Sequence, residues 1–454
     1  MNIVLLSGGS GKRLWPLSND IRSKQFIKIF KKPEHSVPMG TEYTGDYESM
    51  LQRVYRQIKT VDADATVTIA TSKSQVSAIH NQLGEGVGIS VEPCRRDTFP
   101  AIVLATAYLH YVQGVGLDEA VVVCPVDPYV NDDYFEALKE LWGLAQDGTA
   151  NLVLMGITPT YPSEKYGYIM PADMGKVSRV SEFREKPDAV TAQKYIDAGG
   201  LWNGGVFAYK LRYVLERAHK LIDFVDYADL YAKYDTLKKI SFDYAVVEEE
   251  KDIAVLRFHG EWKDLGTWNT LTEAMEEATV GDVRLNETCS NMHVINELGV
   301  PILVMGGKNL VVSASPEGIL VSDKEQSSYI KPFVDAIDQK VMFAEKSWGS
   351  FRVLDVGEKS MTIKVTLLPG HRLHYHSHEQ RDETWTVVNG EGMAVVDDAE
   401  IQLRPGTMLR LPIGSRHTVI AETEMTIIEV QIGENITPHD KKKYSLESRY
   451  GKHR

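Results

Sequence analysis

The first half of the chain alternates two apolar patterns. "MNIVLL", "ATVTIAT", "EAVVVCPVD" and "ANLVLMGI" are short runs rich in β-branched residues and predict buried strands. Between them, "PAIVLATAYLHYV" and "YFEALKELWGLAQ" read as helices. This alternation predicts an α/β fold with a mostly parallel sheet covered on both faces. From about Asn286 the pattern changes. "NMHVINELGVPILVMGGKNLVVSASPEGILVSDKE" is a set of very short strands broken by Gly, Asn and Ser-Pro, which fits a turn or two of β-solenoid or a small β-domain. After "KPFVDAI" a third pattern begins near Glu345. "TIKVTLLPG", "WTVVNGEGMAVV", "AEIQLRPGTMLRLP" and "MTIIEVQI" alternate between Gly and Pro turns, as in a sandwich or barrel. The expected division is an α/β domain over 1–280, a short β-rich, solenoid-like region over 281–340 and a β-barrel over 341–454.

A chain of 454 residues is long enough for two or three cores. With 43% hydrophobic and 25% charged residues it has the composition of a globular protein. A net charge of −13 argues against nucleic acid or an anionic membrane as partner, so any phosphate site must be a local basic pocket. No apolar run reaches membrane-spanning length, and "MNIVLL" is too short and lacks the flanks of a signal peptide. Three scattered cysteines, Cys94, Cys124 and Cys289, point to reduced thiols and a cytoplasmic protein. The tail "KKKYSLESRYGKHR" reads as a basic, solvated end.

Chemistry enters at "LSGGSGKRLWPLS", Leu6 to Ser18, where the first strand runs into a glycine-rich turn. A Walker A loop needs Ser or Thr after Gly-Lys, and here Arg13 follows Lys12. A dinucleotide fingerprint needs a third glycine where Leu14 stands. What remains is a loop whose glycines let backbone N–H groups approach an anion, with Arg13 and Lys24 adding positive charge. Ligands of open α/β sheets bind beyond the carboxyl ends of the strands, where this loop falls. Further polar loops follow. "EPCRRDTFPA" holds Glu92, "CPVDPYV" Asp127, "YGYI" Gly167, "FREKPD" Glu185 and Lys186, "LWNGGVF" Asn203 and "WKDLGTW" Asp264. Each alone is more often a turn former or a helix cap than part of a site.

Taken in order, "GGSGKRLWPLS…SKQF", "EPCRRDT", "YGYI", "EKP", "WNGGVF", "FDYAVVE" and "WKDLGTW" resemble the mannose-1-phosphate guanylyltransferases, from about Met1 to Thr279. The resemblance implies a nucleotidyltransferase fold of the GT-A, Rossmann-like kind and transfer of GMP from GTP to a sugar 1-phosphate. It assigns Ser7, Gly8, Gly9, Gly11 and Arg13 to the triphosphate and Lys24 to the α-phosphate. Asp127 and Asp264 are similar to the family's Mg²⁺ ligands. Gly167, Glu185, Lys186 and Asn203 would bind the sugar phosphate, and Glu92 would lie near guanine. Three features depart from the family: Asp97 where Asn is usual, Pro128 where His follows the metal Asp, and the segment "KKPEHSVPMGTEYTGDYES".

The barrel region carries a second constellation. Four histidines crowd into "HRLHYHSH", and in a strand His374, His376 and His378 share one face. Gly370, five residues, His376-x-His378, four residues, Glu383, six residues and Gly390 match the first cupin motif. Gly406, five residues, Pro412-x-Gly414, two residues and His417 match the second, with Ala421 in place of its final Asn. Three imidazoles and a carboxylate suit a divalent transition metal, Zn²⁺, Mn²⁺, Fe²⁺ or Co²⁺. With "KSWGSFRVLD", "ETWTVVNGEG" and "RYGK", this region resembles the cupin of type II phosphomannose isomerases, often fused to the guanylyltransferase. That resemblance implies interconversion of mannose 6-phosphate and fructose 6-phosphate, with Arg381 binding substrate or stabilising an enediolate. The usual Gln and His are replaced by His376 and Thr384, leaving His374 as a substitute proton carrier. The alternatives are transfer to another hexose or heptose 1-phosphate and a cupin that is a non-catalytic sugar-binding or regulatory module. A homodimer or higher homo-oligomer is expected.

Overall fold

The computed structural model describes residues 1–8, 12–19, 21–33, 46–338 and 340–446. The chain divides into two compact units. One comprises Met1–Ser10, Lys24–Val76 and Gln82–Glu276; the other comprises Gly11–Ser23, Ser77–Asn81 and Glu277–Arg454.

The first unit is built on nine strands: β1 (Asn2–Ser7), β2 (Thr66–Ser72), β3 (Gly88–Glu92), β4 (Ala120–Pro125), β5 (Leu152–Ile157), β6 (Tyr168–Pro171), β7 (Val177–Arg184), β8 (Leu201–Lys210) and β9 (Ile253–Phe258). Their spatial order is β3-β2-β1-β4-β8-β5-β9-β7-β6. The expectation of a mostly parallel sheet holds for seven of the nine strands, and β7 and β8 are the exceptions. β3, β2, β1 and β4 run parallel, as do β5 and β9, but β8 runs against β4, β5 and β6, and β7 runs against β9 and β6. The reason is physical: a run of buried apolar residues reports cover on both faces and carries no direction. Direction follows from the connections, and the short link between β6 and β7 makes an antiparallel hairpin. The helix Thr98–Ala107 is buried from Phe99 onward and packs with Val4, Val121, Leu152 and Phe207 in the main core.

In the second unit, Thr279–Val280, His293–Asn296 and Leu310–Ser315 pair in parallel, and Gly318–Asp323 returns antiparallel. Val283–Leu285 also runs parallel to Ile302–Val304. The segment around Asn19 is fastened to these strands. Arg22 donates both Nη atoms to Glu297 (2.7 and 2.9 Å), Asn19 Nδ2 donates to Glu317 (2.8 Å), and Ser315 Oγ donates to the Pro16 carbonyl (2.6 Å). The "SGGSGKR" stretch is therefore divided, Ser7 and Gly8 lying in the first unit and Lys12 and Arg13 in the second.

The remainder of this unit is two antiparallel sheets. One has six strands in the order Phe343–Lys346, Gly349–Val356, Ser360–Leu367, Met425–Gly433, Arg381–Asn389, Met408–Leu411. The other has five: Ala399–Leu403, Gly392–Val396, His417–Ala421, His376–Ser377, Lys442–Lys443. Val365, Leu367, Trp385, Val387, Ala394 and Val419 belong to one core. Among the described residues, no helix is long and apolar enough to cross a membrane.

Candidate active site and metal centre

In the first unit the chemistry gathers at strand ends. β4 stops at Pro125, and the chain passes through Asp127 into a short strand, Pro128–Val130, that pairs antiparallel with Trp262–Asp264. Asp264 stands opposite Pro128 in that ribbon, so two acids 137 positions apart in sequence lie side by side. Lys24 meets both: its Nζ is 2.7 Å from Asp127 Oδ2 and 3.7 Å from Asp264 Oδ1. Two carboxylates sharing one ammonium retain a net negative charge. Hard oxygen donors with that charge fit Mg²⁺, which takes one or two carboxylates and completes its shell with phosphate and water.

A second group surrounds Gly167. The Asn203 N–H donates to the Gly167 carbonyl (2.8 Å), and Lys186 Nζ donates to Glu185 Oε1 (2.6 Å). A Cβ on residue 167 would stand 2.5 Å from Glu185 Oε2 and 3.0 Å from the Phe183 ring, so glycine is what lets Glu185 approach the chain. Asn203 Nδ2 donates to Asp243 Oδ1 at 2.7 Å. Burial, and then the charge of Glu185, pushes the Asp243 carboxyl up to about 6. Between this group and the acid pair stand the rings of Tyr166, Trp202 and Trp262, with Tyr166 5.0 Å from Trp202 and 5.4 Å from Trp262 between centroids.

The other sequence candidates stand apart. Ser7 is buried at the end of β1, its Oγ accepting from Gln25 Nε2 (2.9 Å) and donating to Gln75 Oε1 (3.2 Å). Gly8 is exposed, and a Cβ there would meet nothing within 4 Å. Gly9 and Gly11 lie outside the described residues. Arg13 is exposed on a short 3₁₀ turn, Lys12–Leu14. Glu92 ends β3 and accepts from Tyr234 Oη at 2.7 Å, and burial raises its carboxyl above the usual range. Asp97, with φ of +71°, caps the helix Thr98–Ala107 by accepting from the Thr98 N–H.

In the barrel, His376 pairs directly with His417 across two antiparallel strands. His376, His378 and His417 are buried, and their ligand atoms lie within 4.8 Å of one another. Each ring is oriented through Nδ1: His376 to the His374 carbonyl (2.6 Å), His417 to the Ser415 carbonyl (3.0 Å) and His378 to the Asp440 carbonyl. With Nδ1 committed, Nε2 is the atom left for a metal, an arrangement typical of ligating histidines. His417 Nε2 is buried without a hydrogen-bond partner. Glu383 reaches in from the other sheet, 2.9 Å from His378 Nε2 and 3.3 Å from His417 Nε2. Burial alone would raise its carboxyl, but the close His378 and His417 imidazoles hold it well below the usual range. Burial pushes His376 down to about 2, so its imidazole is neutral, as ligation requires.

Two expectations change here. The strand covers only His376–Ser377, so His374 lies before it rather than within a longer strand, although it lines the same cavity. Arg381 is less available than expected. Its Nε donates to Glu383 Oε1 (3.0 Å), Nη1 to the Thr437 carbonyl (3.0 Å), and Nη2 lies 3.2 Å from His378 Nε2. As it stands it is bonded to Glu383 and lies against His378, both of them candidate metal ligands.

The nucleotidyl transferase family profile matches residues 2–280, and the profile for the C-terminal region of mannose-6-phosphate isomerases matches residues 336–445. The chain belongs to the nucleotidyl transferase family. The alginate biosynthesis protein AlgA of Pseudomonas putida is 29% identical over 490 aligned positions, covering 99% of this chain and 96% of that protein. A mannose-1-phosphate guanylyltransferase of Escherichia coli K12 is 27% identical, covering 99% and 98%. A crystal structure described as a mannose-1-phosphate geranyltransferase from Thermus thermophilus superposes with a TM-score of 0.61 at 27% identity, covering 74% of this chain and 99% of that one. The resemblance read from the motifs thus extends over the full length, and this nucleotidyl transferase carries an isomerase-type C-terminal region.

Three polar residues of this transferase, the half-buried Asp243 and the buried Glu429 and Gln431, were not picked out from the sequence. Asp243 lies inside "FDYAVVE" and was available as a signal. Glu429 and Gln431 sit on inward positions of Met425–Gly433, opposite Trp385 and Glu383, in a run that reads as plain alternation. Gln431 Nε2 donates to Glu383 Oε1 (3.3 Å) and also to Glu429 Oε1. Burial, and then the charge of Glu383, pushes Glu429 up to about 7.

Proposed function

We propose that this nucleotidyl transferase makes GDP-mannose and pyrophosphate from GTP and mannose 1-phosphate, supplying polysaccharide synthesis. The observation that carries the reading is Lys24 held between Asp127 and Asp264 in a chain whose full-length relatives include named mannose-1-phosphate guanylyltransferases. The sugar phosphate oxygen attacks the α-phosphorus in line as pyrophosphate leaves, and positioning with charge neutralisation supplies most of the acceleration. Mg²⁺, held by Asp127 and Asp264, neutralises phosphate charge when bound. Lys24 follows the charge that builds on the α-phosphate. By the family resemblance, Ser7, Gly8, Gly9, Gly11 and Arg13 are assigned to the triphosphate and Glu92 to the guanine. Gly167, Glu185, Lys186 and Asn203 hold the sugar phosphate, with Asp243 orienting Asn203. A panel of sugar 1-phosphates against four nucleoside triphosphates, read by pyrophosphate release, tests this. Preference for another sugar would replace mannose in the reading, and no release with any pair would overturn it.

Asp243 gives the sugar site a pH dependence. Its raised carboxyl is ionised above about pH 6 and protonated below. The KM for the sugar phosphate is expected to rise as pH falls through 6 while kcat changes less. The substrate phosphate titrates nearby, so the comparison is with Asp243→Asn, whose profile keeps only the substrate's limb. Identical profiles would remove Asp243 from the site.

The strands Thr279–Val280, His293–Asn296 and Leu310–Ser315 are read as the start of a short β-solenoid, a view their parallel pairing supports. The working division is 1–280, 281–340 and 341–454. The barrel is proposed to bind one divalent transition metal through His376, His378, Glu383 and His417 and to isomerise mannose 6-phosphate and fructose 6-phosphate. Chelation is expected to lower the melting temperature, since a ligand at a thousandfold excess over its Kd stabilises by about 4 kcal/mol. His417→Ala should remove both the metal and this response, read by elemental analysis and calorimetry. Full occupancy in His417→Ala would contradict the ligand set.

A further inference from the structure

A half-open cavity of about 900 Å³ lies at the barrel, of the size small-molecule sites occupy. Its lining brings together His376 and Glu383, the aromatic walls Trp348 and Trp385, and one cation that stands out, Lys346. The other cations of the lining are either committed or exposed. Arg381 is bonded to Glu383, Lys340 Nζ donates to the Ile436 carbonyl (2.8 Å), and Lys441 and Lys443 are exposed, with Glu429 acting on Lys441. Lys346 is half-buried, and among the described residues no carboxylate pairs with it. Among the described residues, its ammonium faces the Phe351 ring, 5.9 Å to the centroid.

The backbone that carries Lys346 is fixed. It ends the strand Phe343–Lys346 and pairs with Gly349 across a tight hairpin, where a Cβ on residue 349 would stand 2.0 Å from the Thr366 carbonyl oxygen. The Lys346 carbonyl accepts from Asn81 Nδ2 at 2.8 Å, within the same unit.

Holding an ammonium partly out of water with no counter-charge is unfavourable, and burial lowers its pKa with nothing to offset it. An anion entering the cavity would relieve that cost, and a neutral sugar would not. We propose that Lys346 is an anion-binding residue that takes the phosphate of a hexose 6-phosphate, with the sugar's other end toward the His376–His378–His417 cluster. This deepens the sugar-phosphate reading of the barrel and rests on it.

The test is titration calorimetry on the full-length, metal-loaded protein with mannose 6-phosphate, mannose and inorganic phosphate as probes. Saturating mannose 1-phosphate is present to occupy the transferase site. Lys346→Met is expected to weaken mannose 6-phosphate binding roughly 10-fold or more, the loss typical of a charge-assisted hydrogen bond. Lys346→Arg should stay within about threefold by retaining the charge, and mannose should bind equally to all three proteins. Metal content and melting temperature serve as controls for folding, with Lys346→Gln as a second neutral variant. The proposal is overturned if the wild type binds mannose 6-phosphate no better than mannose, or if both neutral variants bind it as tightly as the wild type. Binding that depends on Lys346 without turnover would reject the isomerase and leave the anion site standing.

Discussion

Asp127→Asn and Asp264→Asn each lower kcat for guanylyl transfer roughly 100-fold or more, because each removes a charge that holds the metal against the phosphates. The substitution suits the geometry. Asparagine has the shape of aspartate, and the ribbon Pro128–Val130 with Trp262–Asp264 is held by main-chain pairing that the change does not touch. The loss is therefore one of charge rather than of fold, and raising the Mg²⁺ concentration should restore part of it. Lys24 responds differently. Its ammonium balances Asp127 at 2.7 Å and Asp264 at 3.7 Å before substrate arrives, so Lys24→Ala leaves two carboxylates facing each other without a cation. Metal binding should then persist or tighten, while kcat falls through loss of charge on the α-phosphate and the KM for GTP changes less. Steady-state kinetics over a Mg²⁺ series separates the cases. Near-full activity in all three variants would remove the acid pair from the chemistry.

The acid pair was legible through the resemblance, since Asp127 in "CPVDPYV" and Asp264 in "WKDLGTW" match positions of the family's Mg²⁺ ligands. Their proximity was not, since it depends on a three-residue ribbon far too short to register as periodicity. The histidine and glutamate spacing of the barrel was legible for a similar reason: His376 and His378 are two apart, and Glu383 and His417 complete two turn-bounded motifs. The parallel majority of the first sheet was legible from the strand–helix alternation, but the reversal of β8 was not, because β8 is buried along most of its length like its neighbours and only its connections reverse it. Arg381 was readable as a residue but not as a role. Whether a guanidinium faces substrate or its own neighbours depends on where Glu383, His378 and the Thr437 carbonyl stand. Glu429 was invisible because an acid on an inward position looks, in an alternating strand, like one more polar residue at an edge.

Glu429→Gln should abolish most of any mannose 6-phosphate isomerisation, by about 10² to 10⁴, the range that positioned acid–base groups supply. Moving from aldose to ketose takes a proton from C2 and returns one to C1, through an enediol(ate). A divalent metal in the barrel would polarise the carbonyl when bound. The proton needs a carrier, and the Thr384 hydroxyl does not titrate near neutral pH. Glu429 is buried, lines the cavity that holds the histidines, and is the carboxyl there that is not among the proposed metal ligands. Gln431 bridges it to Glu383, which fixes its position without making it a ligand. Burial raises its carboxyl above the usual range, so as a base it gains activity as pH rises through its titration. In Glu429→Gln that limb of the pH–rate profile should vanish while metal content stays constant, which a merely structural role would not produce. The assay uses full-length protein loaded in turn with Co²⁺, Mn²⁺ or Zn²⁺. Full activity in Glu429→Gln would return the role to His374, which lines the same cavity. No turnover with any metal, in protein shown to hold it, would leave the barrel as a sugar-binding or regulatory module attached to the transferase.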